Sequence, residues 1–146
     1  MFMSEYNHTL DAKGRVIMPA KFREVLGDTF VVTKGFDRCL YVYSHEDWQA
    51  FQKQVMEKLD DTVKEERQFA RFLFSGASEV EVDKQGRIPL FPALRKYAEL
   101  DKDVVLAGVG RRIEIWDKAK WDGESLDENI DDIMSMMNKL GISFTQ

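Results

Sequence analysis

The feature that most constrains this chain is an internal repeat. Asp11-Ala12-Lys13-Gly14-Arg15-Val16 returns as Asp83-Lys84-Gln85-Gly86-Arg87-Ile88, displaced by 72 residues. Phe22-Arg23 and Leu94-Arg95 keep the same displacement. One inserted residue then sets it to 73, and the match continues. Asp28 falls on Asp101, Val31-Val32 on Val104-Val105, Gly35 on Gly108, and Trp48 on Trp121. Leu40-Tyr41-Val42-Tyr43 falls on Ile113-Glu114-Ile115-Trp116. A register that survives one insertion over about forty residues reflects duplication rather than a chance motif. Two related modules are therefore expected, 1–59 and 76–146, with a helical connector over 60–75.

Each module reads to the same plan. Tyr6, His8 and Leu10 alternate within Met3–Leu10, the period of a half-buried strand, and Ser78, Val80 and Val82 take those places in module two. Asp-x-x-Gly marks a turn, because Asp bonds backbone two residues on and Gly tolerates positive φ. Arg15–Met18 and Arg87–Leu90 leave the turn as second strands, and Pro89 suits an edge or a strand end. Short helices are predicted over Ala20–Leu26 and Ala93–Leu100, then strands over Thr29–Thr33, Cys39–Tyr43, Val104–Ala107 and Arg112–Trp116. Ser44 caps a helix carrying Trp48, Phe51, Val55 and Leu59, and Thr62–Phe74 reads as another. In the tail, Leu126, Ile130, Ile133, Met134 and Met137 form a helical stripe ending at Gly141. Core packing is the expectation for all three apolar stripes. The fold class is mainly β with helices, α+β.

Composition excludes several function classes. No apolar run approaches the roughly 18 residues of a membrane span, and the first residues lack a leader pattern. The single Cys39 cannot form an internal disulfide, which fits a reducing, cytoplasmic setting. Phosphate-loop, nucleophile-elbow and zinc-protease motifs are missing from the sequence. His8 and His45 have no ligand-spaced companions, and Cys39 at a strand start reads as core. No catalytic residue, metal site, cofactor or small-molecule substrate is expected.

Charge is the more informative property. The chain carries 21 basic and 26 acidic side chains, net −5. Against that balance, Lys13, Arg15, Lys21 and Arg23 opposed by Asp11 leave +3. Lys84, Arg87, Arg95 and Lys96 opposed by Asp83 leave +3 again, whereas Asp122–Asp132 holds six acids and no base. A guanidinium can fork onto phosphate or onto guanine. Two alike basic turns suit a ligand that itself repeats. The arginine after each turn can clamp its own aspartate or point outward, and both possibilities stay open here.

These residues resemble a known family. Glu5-Tyr6-Asn7-His8-Thr9-Leu10-Asp11-Ala12-Lys13-Gly14-Arg15, then Pro19-Ala20-Lys21-Phe22-Arg23, then Asp83-x-x-Gly86-Arg87 are similar to the MraZ family of bacterial transcriptional regulators, kin to the AbrB-like swapped-hairpin DNA-binding domains. Phe91 departs from the pattern, standing where Pro19 stands in module one, and Pro89 interrupts the second strand. The resemblance implies tandem β-α-β-β modules forming a double-split β-barrel, plus flanking helices. It implies a ring-like homo-oligomer on double-stranded DNA, bound to short direct repeats in the promoter of the division and cell-wall gene cluster. Control of that cluster and of its own gene, and a nucleoid-associated location, follow from the same likeness. Carried over by position, Lys13, Arg15, Lys21, Arg23, Lys84, Arg87 and Arg95 would contact DNA, while Asp11, Gly14, Asp83 and Gly86 organise the turns.

The alternative from another class is an interaction module. Met134, Met136 and Met137 of the terminal helix would then dock a protein partner, since Met suits adaptable surfaces. An anion or nucleotide sensor is a third possibility without a pocket motif.

Overall fold

Strand pairing follows the repeat. The computed structural model describes residues 1–145. Its strands are β1 (Glu5–Thr9), β2 (Arg15–Ile17), β3 (Thr29–Lys34), β4 (Leu40–Tyr43), β5 (Ser78–Glu81), β6 (Arg87–Pro89), β7 (Asp103–Gly108) and β8 (Ile113–Asp117). Its helices are α1 (Ala20–Leu26), α2 (His45–Lys58), α3 (Lys64–Ser75), α4 (Pro92–Tyr97), α5 (Lys118–Gly123) and α6 (Ile130–Lys139). Six strands form one antiparallel sheet in the order β1-β7-β8-β4-β3-β5, and β2 pairs with β6 in a separate ribbon.

Exchanging each strand for its repeat equivalent, β1 for β5 and so on to β4 for β8, reads the same sheet order backwards. The fold therefore has an approximate twofold axis. Val16 lies opposite Ile88 in the ribbon, and Tyr41 lies opposite Glu114 between β4 and β8. Each of these pairs is one position of the repeat seen twice. The first strand of each half pairs with the other half: β1 lies on β7 and β5 lies on β3.

Phe30–Val32 of β3 and Val104–Ala107 of β7 are continuous apolar runs because both faces of the sheet are covered there. Phe30 and Val32 of β3 join Val104 and Leu106 of β7, Val16 and Ile88 of the ribbon, Phe22 of α1 and Leu94 of α4 in one buried cluster. Val31 points the other way, onto Trp48 and Val55 of α2 and Leu73 of α3. Ser44 caps α2 as expected, its Oγ accepting from the Asp47 N–H at 3.1 Å. Pro89 is tolerated because its strand has one partner only.

Four expectations need correction. Strand β1 begins at Glu5, not Met3, because Ser4 takes φ 77. Helix α4 covers Pro92–Tyr97 rather than Ala93–Leu100: Pro92 takes the first helical position, and Glu99 at φ 53 prevents extension. The tail is not one packed helix. A 3₁₀ turn, Leu126–Asn129, precedes α6, and no residue of α6 is buried. The class is mixed α+β with a mostly antiparallel sheet. Hydrogen bonding does not close a barrel, since β1 and β5 remain the outer strands of an open sheet.

Candidate nucleic-acid interface

The two Asp-x-x-Gly-Arg turns fold alike because the same atoms close them. Asp11 Oδ1 accepts from the N–H groups of Lys13 (2.9 Å) and Arg15 (2.8 Å), and Oδ2 accepts from Arg15 Nε at 2.7 Å. Asp83 Oδ1 accepts from Gln85 and Arg87 N–H, both at 2.9 Å, and Oδ2 accepts from Arg87 Nε at 2.9 Å. Gly14 at φ 75 and Gly86 at φ 81 turn the chain through the left-handed region. The N–H donors hold both carboxyls below the usual 3.8, the Arg15 amide contributing most at Asp11 and the Arg87 amide most at Asp83.

Each arginine clamps its own aspartate through Nε and keeps part of its side chain exposed. Arg15 and Arg87 keep only 30% and 26% of their side-chain surface exposed while bound to their aspartates. Arg87 Nη1 also lies 3.6 Å from Asp11 Oδ2, so the two turns touch. They are bound together further by the ribbon: Met18 N–H donates to Gly86 O, and Leu90 N–H to Gly14 O.

Arg23 and Arg95 cross between the halves. Arg23 Nε donates to Met18 O and Arg95 Nε to Leu90 O, at 3.1 and 2.9 Å. Each guanidinium then covers the glycine of the opposite turn. A Cβ placed on Gly14 would sit 2.6 Å from Arg95 Cζ, and one on Gly86 would sit 3.5 Å from Arg23 Cζ. Sequence reasoning grouped Arg23 with its own turn and missed this exchange. The common displacement of 72 residues was the available signal, but it reports equivalence and not contact.

Lys13 and Lys84 stand exposed on the turns, and Lys21 stands exposed on α1. Among the described residues, none of the three has a carboxylate within 4 Å. The structure thus gathers Lys13, Arg15, Arg23, Lys84, Arg87 and Arg95 around one short ribbon, with Lys21 on the flanking helix. The two segments carrying them sum to +6, and the rest of the chain to −11. Clamped arginines with free lysines between them make a stiff cationic surface, suited to a polyanion of fixed geometry.

The sequence offered no hint of a second arginine site. Arg112 stacks its guanidinium 3.9 Å over the Tyr41 ring and bonds Glu114 at 2.9 Å, beside the Tyr41–Glu114 pair on the axis. Trp116 Nε1 donates to the other oxygen of Glu114. This network is internally satisfied and belongs to packing. Cys39 is buried and its thiol is pushed well up by burial, so it is an inert core residue as expected. His45 Nε2 meets Thr29 Oγ1 at 3.0 Å. No group of three or more His, Cys, Asp or Glu among the described residues could hold a metal ion.

The sequence pattern of the family described as "MraZ protein, putative antitoxin-like" matches residues 1–72 and again residues 73–132. The chain belongs to the MraZ family. A protein of Acetivibrio thermocellus named "Transcriptional regulator MraZ" is 53% identical over 144 residues, spanning 97% of this chain and all of the relative. Relatives of the same name from Lachnoclostridium phytofermentans and Halothermothrix orenii are 51% and 50% identical, spanning 99% and 97% of this chain and all of each relative. The double MraZ match is the family-level counterpart of the repeat.

Proposed function

We propose that this protein is a sequence-specific DNA-binding transcriptional regulator without enzymatic activity. One observation carries the reading: a chain of net −5 concentrates +6 in two equivalent segments whose turns touch. The names of its relatives, transcriptional regulators all, support it. The exposed lysines would contact phosphates and set register, while the arginines present guanidinium edges to bases from turns already held rigid. We place the two repeats as tandem β-α-β-β modules, 1–59 and 76–146, connected through 60–75 and interlocked by strand exchange.

The ligand inferred is a set of short direct repeats in the promoter of the division and cell-wall gene cluster, with control of that cluster and of the protein's own gene from the nucleoid. One copy offers few contacts, so a ring-like homo-oligomer engaging successive repeats supplies the affinity. The test is footprinting of the DNA upstream of its own gene with purified protein. Protection of regularly spaced repeats is expected; uniform, sequence-independent retention would overturn the regulator.

The exposure of α6 favours one other reading, a protein-interaction module whose basic turns are merely solvated. Retention on heparin or on duplex DNA at low salt separates the two, because the interaction module predicts none.

A further inference from the structure

The outward face of the β2–β6 ribbon carries a side chain that phosphate binding does not call for. Side chains alternate along each strand, so Val16 and Ile88, both fully buried, point into the core. Arg15, Ile17, Arg87 and Pro89 point away from it. The register sets Arg15 against Pro89 and Ile17 against Arg87. Guanidinium and apolar side chain therefore alternate around a square, with the two arginines on one diagonal. Ile17 is the most exposed residue of the ribbon, at 42%, whereas Pro89, its equivalent 72 residues on, is half-buried. The two halves of the repeat differ at this position.

The chemistry of Ile17 does not suit phosphate. It has no donor, and apolar surface left in water is unfavourable. On duplex DNA one group matches it. A two-stranded ribbon fits the major groove, and there thymine shows a 5-methyl group, whereas the other three bases are read through hydrogen-bonding groups. The spacing also fits. Residues facing each other across an antiparallel pair lie about 5 Å apart, and residues i and i+2 about 7 Å. Successive bases of one strand are spaced by about 3.4 Å. Ile17 and its two arginine neighbours are thus rooted one or two base steps apart.

We propose that Ile17 is a specificity-determining residue that packs on the 5-methyl group of a thymine, within two base steps of a guanine met by the flanking arginines. The inference rests on the DNA-binding reading above and adds the base that an apolar side chain selects. Each copy makes one such contact, because Pro89 stands half-buried in the equivalent place. Ile17 carries no charge, so it acts on the choice of sequence and not on the dependence on salt.

The test removes the methyl from the DNA and the side chain from the protein. The probe is the DNA upstream of the protein's own gene, copied once with thymine and once with uracil throughout. Uracil pairs as thymine does and lacks only the methyl. Mobility-shift titration of the full chain is expected to find the unaltered protein weaker on the uracil copy, by about fourfold for each methyl covered. Ile17→Ala is expected to bind both copies alike, near the affinity of the unaltered protein for the uracil copy, with an unchanged salt slope. Ile17→Val keeps most of the side chain and should restore most of the difference. Far-ultraviolet circular dichroism checks that both variants are folded. Equal affinity of the unaltered protein for the two copies overturns the proposal and leaves the regulator standing. A uracil penalty of the same size in the unaltered protein and in Ile17→Ala also overturns it, because the methyl then acts through another residue or through duplex stiffness. A protein that ignores the upstream duplex altogether sinks the regulator and this contact together.

Discussion

Val16 and Ile88 face each other across the β2–β6 ribbon, and both are fully buried. They are the same position of the repeat, 72 residues apart. The approximate twofold axis therefore runs through a hydrophobic contact directly beneath the two basic turns. The spacing between those turns is fixed by the packing of this pair rather than by a flexible linker. Shape at the candidate interface is thus a property of the core.

That arrangement predicts an effect of Ile88→Ala beyond simple loss of stability. Truncating a fully buried isoleucine removes contacts and leaves a cavity, at a cost of about 2–5 kcal/mol. Denaturant unfolding is expected to show the loss as a lower midpoint. Because the turns rest on this contact, duplex affinity should fall even where the variant remains folded. Affinity equal to the unaltered protein at full occupancy of the folded state would disconnect the ribbon from binding.

The exchange of β1 and β5 predicts a single cooperative transition. Residues 1–72 alone keep β3 but lose its outer partner β5, and residues 73–146 lose β1 from β7. Each piece would expose a buried sheet edge, so neither is expected to show native amide dispersion by itself. Mixed together, the two pieces should recover it. Independent folding of either piece, seen by amide exchange, would show that the halves are separable.

How much of this was legible beforehand follows from what each signal encodes. The turns were readable because Asp, Gly and Arg act within five residues: the Asp11 carboxylate accepts from Lys13 and Arg15 of its own turn, and its carbonyl accepts from Gly14. The strands were readable from alternation and apolar runs. The exchange was not, since pairing β1 with β7 rather than β3 leaves the alternation pattern of β1 unchanged. The same limit hid Arg95 over Gly14. The tail shows the converse: a stripe at helical spacing marks an apolar face, but spacing does not say that the face is packed, and no residue of α6 is buried. One strand start and one helix end were misplaced where a single positive φ, at Ser4 and at Glu99, overrode propensity.

The two turn glycines are expected to differ under substitution. Both have positive φ, so alanine is strained at either by roughly 1 kcal/mol. At Gly14 the new Cβ also falls 2.6 Å from Arg95 Cζ, whereas at Gly86 Arg23 stays 3.5 Å away. Gly14→Ala must displace the Arg95 guanidinium, the mobile end of a long side chain. Thermal unfolding should therefore separate the two variants little, while a mobility-shift titration should show the larger affinity loss for Gly14→Ala. Equal losses in binding would remove Arg95 from the interface.

Acid should open the turns in a defined order of cause. Asp11 and Asp83 are held below 3.8 chiefly by backbone N–H donors, so their charged forms favour the folded turn. That contribution is complete above the ordinary carboxylate value and disappears as pH falls through the lowered folded value. Side-chain carboxyl carbon titration by NMR is expected to give midpoints below 3.8 for both. Arg15→Ala removes one donor and one charge from Asp11 but keeps the backbone N–H, so its midpoint should rise only part of the way. A full return to the ordinary value would mean that the guanidinium, not the backbone, holds the turn.

The lysines should be read through salt. Log affinity for duplex DNA falls with log salt by about 0.9 for each phosphate neutralised. Lys13→Ala and Lys84→Ala each remove one exposed cation that has no carboxylate partner among the described residues. Each is expected to make the slope shallower by about 0.9 per copy bound while leaving the preference among sequences unchanged. Arg15→Ala should behave oppositely: Asp11 holds its Nε and offsets its charge, and the proposed role of its remaining guanidinium edge is to meet bases, so discrimination between the promoter repeat and unrelated duplex should drop by roughly tenfold or more. Competition titrations at several salt concentrations measure both quantities at once. A changed slope with unchanged discrimination for Arg15→Ala would make that arginine a phosphate contact and leave base reading to other residues.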